Sequence, residues 1–93
     1  MEQSIIQQAI ERIGQMEQCF DDLLKAAGQS PEEILENASL KERLLILTQY
    51  YESGQWLSDY ELDEKGLLPH RLKRGVLSQD AVYDFLERMQ SIV

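Results

Sequence analysis

The chain has 93 residues, and its 17 acidic side chains outnumber the 9 basic ones to give a formal charge of −8. That length holds one domain, and so acidic a body repels phosphate backbones and anionic lipid, which disfavours nucleic acid and membrane as partners. The 43% hydrophobic content excludes intrinsic disorder, which needs a chain too polar to bury a core.

Charge is unevenly placed. Residues 1–64 hold 14 acids and 4 bases, a net of −10, whereas residues 65–75 hold Lys65, Arg71, Lys73 and Arg74 with no acid, and residues 76–93 carry −2. Cys19 stands alone, so no internal disulfide is available. With no basic-then-apolar leader at the N-terminus, the chain reads as cytoplasmic. The longest apolar run, Leu44 to Leu47, is far short of the ~20 residues of a membrane span.

Ile6, Ala9, Ile13, Met16, Phe20, Leu23 and Ala27 recur in alternating steps of three and four, a heptad seam widened by Ile10 and Leu24. The spacing predicts one amphipathic helix over residues 3–27, ended by Gly28. A long helix on a small core leaves apolar surface to cover, so the 6–27 seam is also where a homo-oligomer is expected. Ser30-Pro31-Glu32-Glu33 reads as a capping box that restarts the chain in an antiparallel helix over residues 31–53. Its apolar set is Ile34, Leu35, Ala38, Leu44, Leu45, Leu47 and Tyr51, and a second capping box at Ser39 and Glu42 predicts a break or kink near residues 37–40. Gly54 marks the stop.

Trp56, Leu57 and Tyr60 share a helix face and predict a short helix over 55–64. Residues 65–74, with Gly66 and Pro69, read as a loop. Ser78 then caps a last helix over 79–91, with Leu77 stapled on Val82 and a buried stripe of Val82, Phe85, Leu86 and Met89. The fold class is all-α. It is an antiparallel hairpin of two long helices closed by one or two shorter C-terminal ones, a three- to four-helix bundle within a single domain of residues 1–93.

The acid run Asp59 to Glu64 has the 1, 3, 5 spacing of a calcium loop, but Glu64 stands where the turn glycine belongs and His70 where the bidentate glutamate belongs. It reads as a solvated helix face, with no metal and no cofactor implied. The basic run His70 to Arg74 could bind a phosphate or an acidic partner, but is expected to pair internally with Asp59, Glu61 or Asp63. Residues 75–82 resemble the start of a DNA-reading helix, but Asp80, Asp84 and Glu87 would face the phosphates. With one histidine, one cysteine, and no nucleophile elbow or phosphate-cradling glycine loop, the chain is expected not to be an enzyme. Cys19 reads as a small buried hydrophobe. Among Tyr50, Tyr51, Trp56 and Tyr60, Trp56 is expected in the core and one or two tyrosines at the surface beside the acids.

Tyr50-Tyr51-x-Ser53-Gly54-x-Trp56-x-x-Asp59-Tyr60-Glu61, followed by Leu68-Pro69-x-x-Leu72-Lys73-Arg74-Gly75-Val76-Leu77-Ser78-x-Asp80-x-Val82-Tyr83-x-x-Leu86, resembles a bacterial family catalogued as domain of unknown function 4298. The likeness is strongest over residues 50–86, with Arg12-Ile13-x-x-Met16-Glu17 matching in character. It implies a helical, cytoplasmic protein and supplies no activity, cofactor or catalytic residue. Core packing alone does not require Asp59, Glu61, Lys73, Arg74 or Asp80. With Tyr51, Trp56 and Tyr60 they form a candidate cluster, either an internal salt-bridge network or a docking surface. A non-enzymatic protein–protein interaction or oligomerisation module with an unidentified protein partner follows. The alternatives are a nucleic-acid regulator using loop 70–74 and helix 79–91, and an acidic-site enzyme or metal protein built on Asp59, Glu61, Asp63 and His70.

Overall fold

The structure is a computed structural model and describes residues 2–92. Its elements are α1 (Glu2–Gln29), α2 (Pro31–Glu36), α3 (Ala38–Glu52), α4 (Gln55–Glu64), a 3-10 turn (Gly75–Leu77) and α5 (Gln79–Ile92). No strand occurs among the described residues. The 28 residues of α1 rise about 42 Å at 1.5 Å each, which is the long dimension of the molecule, 42 Å. α2, α3, α4 and the 3-10 turn pack against that rod, and α5 packs against α2 and the turn.

The α1–α3 pairing is antiparallel. Cys19 and Asp22 of α1 meet Arg43 near the start of α3, through the Cys19 thiol donating to the Arg43 carbonyl (3.3 Å) and an Asp22–Arg43 ion pair (3.5 Å). Earlier in α1, Arg12 reaches the level of Tyr50 near the end of α3, through a shared contact with Asp59. The seam of α1 faces inward: Ala9, Ile13 and Leu23 are fully buried and Phe20 nearly so. They meet Ile34, Leu47, Val76, Val82 and Met89 in one core, where Phe20 and Phe85 pack edge to face at 5.6 Å. Each fully buried aliphatic side chain contributes roughly 1.5–3 kcal/mol. Most of the seam expected to hold a second copy therefore packs within the chain, with Ile6, Ile10 and Met16 left partly exposed.

Helix boundaries shift where local capping differs from expectation. α1 runs on through Gly28 to Gln29, so Gly28 is not the terminator; the Ser30 amide still donates to the Ala26 carbonyl at 2.9 Å. Pro31 opens α2 as expected, but Ser30 does not cap with its side chain and donates instead to the Glu32 carboxylate at 3.1 Å. The expected break falls at Asn37, whose side-chain oxygen accepts from the Ser39 and Leu40 amides at 2.9 and 3.2 Å. Ser39 is thus not the cap, and its hydroxyl accepts from Arg43.

That break resets the phase of the helix. A continuous helix through Ile34 would bury Ala38 and Leu45; with α3 started afresh, the two turn outward together and Leu45 is 57% exposed. Leu47 points inward as expected, Tyr50 joins it there, and Tyr51 is only half-buried. Leu24 and Leu57, expected on buried faces, are exposed as well. α4 ends in a six-to-one and five-to-two pair of backbone bonds, Leu67 to Leu62 (3.1 Å) and Gly66 to Asp63 (2.9 Å). Gly66 sits at φ 72°, the left-handed conformation this ending requires and an L side chain resists. Among the described residues no helix is long and apolar enough to cross a membrane.

Candidate interaction site

Asp59 is the one charged residue among those described with no exposed surface. α4 presents it to the crossing of α1 and α3, where both carboxylate oxygens are occupied. Arg12 donates from Nε to Oδ2 (2.9 Å) and from Nη2 to Oδ1 (2.5 Å), and the Tyr50 hydroxyl donates to Oδ2 (2.7 Å). Forked recognition of this kind suits the planar guanidinium. Burial first, and the bond to Asp59 second, hold the Tyr50 hydroxyl well above the ordinary tyrosine range. The bond to Asp59 likewise raises Arg12. Three helices are tied at one carboxylate, and no lone pair of it faces solvent.

A second tie organises the loop. Arg74 donates to the Asp63 carboxylate and the Pro69 carbonyl, and through Nε to the Leu72 carbonyl at 3.3 Å. The turn that follows is held from two sides. Trp56 Nε1 donates to the Val76 carbonyl (2.8 Å), and the Val76 amide donates to Glu17 of α1 (2.8 Å). A Cβ on Gly75 would stand 2.9 Å from that Glu17 carboxylate, the flexible end of a side chain, which would have to shift to make room. Trp56 itself is buried, stacked on Tyr60 (5.1 Å, 17°) and tilted against Tyr51 (5.2 Å, 55°). A hydrogen bond to Glu64 raises the Tyr60 hydroxyl above its ordinary range.

The predicted cluster therefore splits in two. Trp56, Asp59 and Arg74 belong to internal ties, with Tyr51 and Tyr60 flanking Trp56. Glu61, Lys73 and Asp80 are exposed and join neither tie. The expected pairing of the basic run with the α4 acids holds for Arg74 and Asp63. Asp59 departs from it, because a buried carboxylate needs its donors from the core side, and α1 supplies them. Sequence reasoning missed Arg12, Tyr50 and Glu17 as partners. The Arg12-Ile13-x-x-Met16-Glu17 stretch holds the two charged residues that tie α1 to α4 and to the turn, but nothing in it names their partners. Asp59 and Asp63 are bound to different arginines, Glu61 and His70 are exposed, and no group of three potential metal ligands converges among the described residues.

The same ties leave an open cleft of about 680 Å³ between α1 and the loop. Gln7, Ile10, Gly14, Glu17, Gln18 and Asp21 form one wall, and Pro69, Arg71, Leu72 and Lys73 the other. Arg71 and Lys73 are both exposed at its rim.

A small helical bundle pinned by one buried ion pair, with a stapled basic loop beside a long helix, is the class that fold and site define. The chain belongs to the family described as domain of unknown function DUF4298, whose model matches residues 13–93. That match extends the likeness of residues 50–86 back along α1, to within one residue of Arg12. No curated protein and no solved structure matches the chain.

Proposed function

We propose that the protein is a non-enzymatic interaction module that receives an acidic segment of a protein partner at the cleft between α1 and loop 65–74. One observation carries the reading: Arg74 is spent on holding the loop's shape, while Arg71 and Lys73 stand exposed on that fixed loop at the rim of the cleft. A rigid loop loses little conformational entropy on binding, which favours recognition. Two cations on an otherwise acidic body also focus attraction onto one place. Ile10 and Leu72 supply apolar lining between the charged walls. The acidic face of α5, with Asp80, Asp84 and Glu87 all exposed, supports a protein partner over nucleic acid.

The test is affinity capture from the native cell with the intact chain and with Arg71→Glu/Lys73→Glu. Both substituted side chains are exposed and outside the internal ties, so helicity and melting stay as in the parent. A partner retained by the parent and lost by the variant, with salt weakening the capture, supports the reading. Equal capture by both, or a low-salt shift with DNA or RNA that the variant abolishes, overturns it.

A further inference from the structure

The outward face of α2 and α3 carries a shallow apolar groove of about 500 Å³ lined by Leu35, Ala38, Lys41, Glu42, Leu44, Leu45 and Thr48. We propose that this groove is the contact through which two copies of the chain form a twofold-symmetric dimer, α3 against α3 and antiparallel.

A twofold contact must be self-complementary, each residue on one copy meeting its counterpart across the axis. On this face the symmetric match follows from sequence spacing. Place the axis between Lys41 and Glu42, and Lys41 of each copy faces Glu42 of the other. In the same register Leu45, 57% exposed, enters the recess over Ala38 of the second copy. The recess exists because Ala38 is small and the chain breaks at Asn37, so α2 turns Leu35 to wall one end of it. One large and one small residue, exchanged across the axis, fill each other's space twice.

Charge selects this face over the rest of the surface. Two copies of a −8 chain repel unless the contact is locally neutral or basic. Residues 1–36 carry −6, residues 52–64 carry −5 and residues 76–93 carry −2, whereas residues 37–51 carry Lys41, Glu42 and Arg43, a net of +1. The basic loop 65–75 is the one other stretch that is not acidic, and a like-charged loop does not complement itself. The α3 face combines neutral charge, exposed apolar side chains and a matched Lys–Glu pair. It lies apart from the cleft of the proposed function and does not depend on it.

Sedimentation equilibrium of the full chain tests the dimer. The parent is expected to move from 10.8 kDa toward twice that mass with rising concentration. Leu45→Glu, an exposed position, is expected to stay at the monomer mass with an unchanged helical signal. Lys41→Glu puts like charges across the axis twice and weakens association by about tenfold, and the double variant Lys41→Glu/Glu42→Lys restores it. Arg71→Glu/Lys73→Glu leaves the dimer intact, which separates this result from the fate of the cleft. A mass of 10.8 kDa at every concentration overturns the proposal and gives the groove to a helix of another protein. So does a dimer that survives Leu45→Glu, or a charge swap that fails to rescue.

Discussion

At Asp59 the two ends of one ion pair live in different environments: the carboxylate has no exposed surface, while the Arg12 side chain keeps 30% of its own. Removing either partner therefore has unequal consequences. Arg12→Ala leaves a buried negative charge with only the Tyr50 hydroxyl, and is expected to cost about 3 kcal/mol. Asp59→Asn leaves a guanidinium that can swing toward water, and is expected to cost less, about 2 kcal/mol. Denaturant midpoints of the two variants check the order, and an Asp59→Asn loss larger than that of Arg12→Ala contradicts it. Tyr50 adds a pH dependence. Its hydroxyl titrates above its ordinary value of 10.0 in the fold, with burial the larger cause, so above that pH the unfolded chain loses a proton the folded one keeps. Stability is then fully present below pH 10.0 and falls as pH rises, by up to ~1.4 kcal/mol per pH unit. The Cys19 thiol, raised by burial above 9.0, acts in the same direction. Tyr50→Phe is expected to cost about 1–2 kcal/mol at neutral pH and to flatten the alkaline decline, measured by unfolding at a series of pH values.

Between helices, the informative position is Asn37. Its side chain caps α3 through two backbone amides, so Asn37→Ala is expected to lower stability by about 1 kcal/mol, whereas Ser39→Ala changes little. Thermal melts of the two variants distinguish the caps. Gly14 sits exposed in mid-helix on the cleft wall with no atom within 4 Å of an added Cβ, so Gly14→Ala is expected to stabilise α1 by up to ~1 kcal/mol. A melt that falls instead would place a contact there. The helices, the loop and the buried stripe of α5 were legible in the sequence because each rests on periodicity over three or more turns, or on a local stop signal. Ala38, Leu45 and the choice between Tyr50 and Tyr51 were not, since one broken backbone turn at Asn37 rotates everything after it. The Arg12–Asp59 pair was out of reach for a different reason. Its members are 47 residues apart, and no local pattern reports which carboxylate the tertiary fold will enclose.

Taken whole, the molecule is a 42 Å helical rod clothed on its sides, with a cross-section of 23 by 21 Å. Trp56 joins α4 to the turn before α5 and enters the same core as α1 and α3. Unfolding followed by tryptophan fluorescence and by helical circular dichroism is expected to give coincident transitions; an earlier tryptophan change would mark the C-terminal third as a separate cooperative unit. The chain's single cysteine also lies on the α1–α3 contact, 8% exposed, its thiol bonded to a carbonyl of the facing helix. With so little of it exposed, that sulfur is expected to react slowly, and faster whenever the two rods part. The part of its labelling rate in native buffer that mild denaturant increases is a built-in clock for how often the bundle breathes.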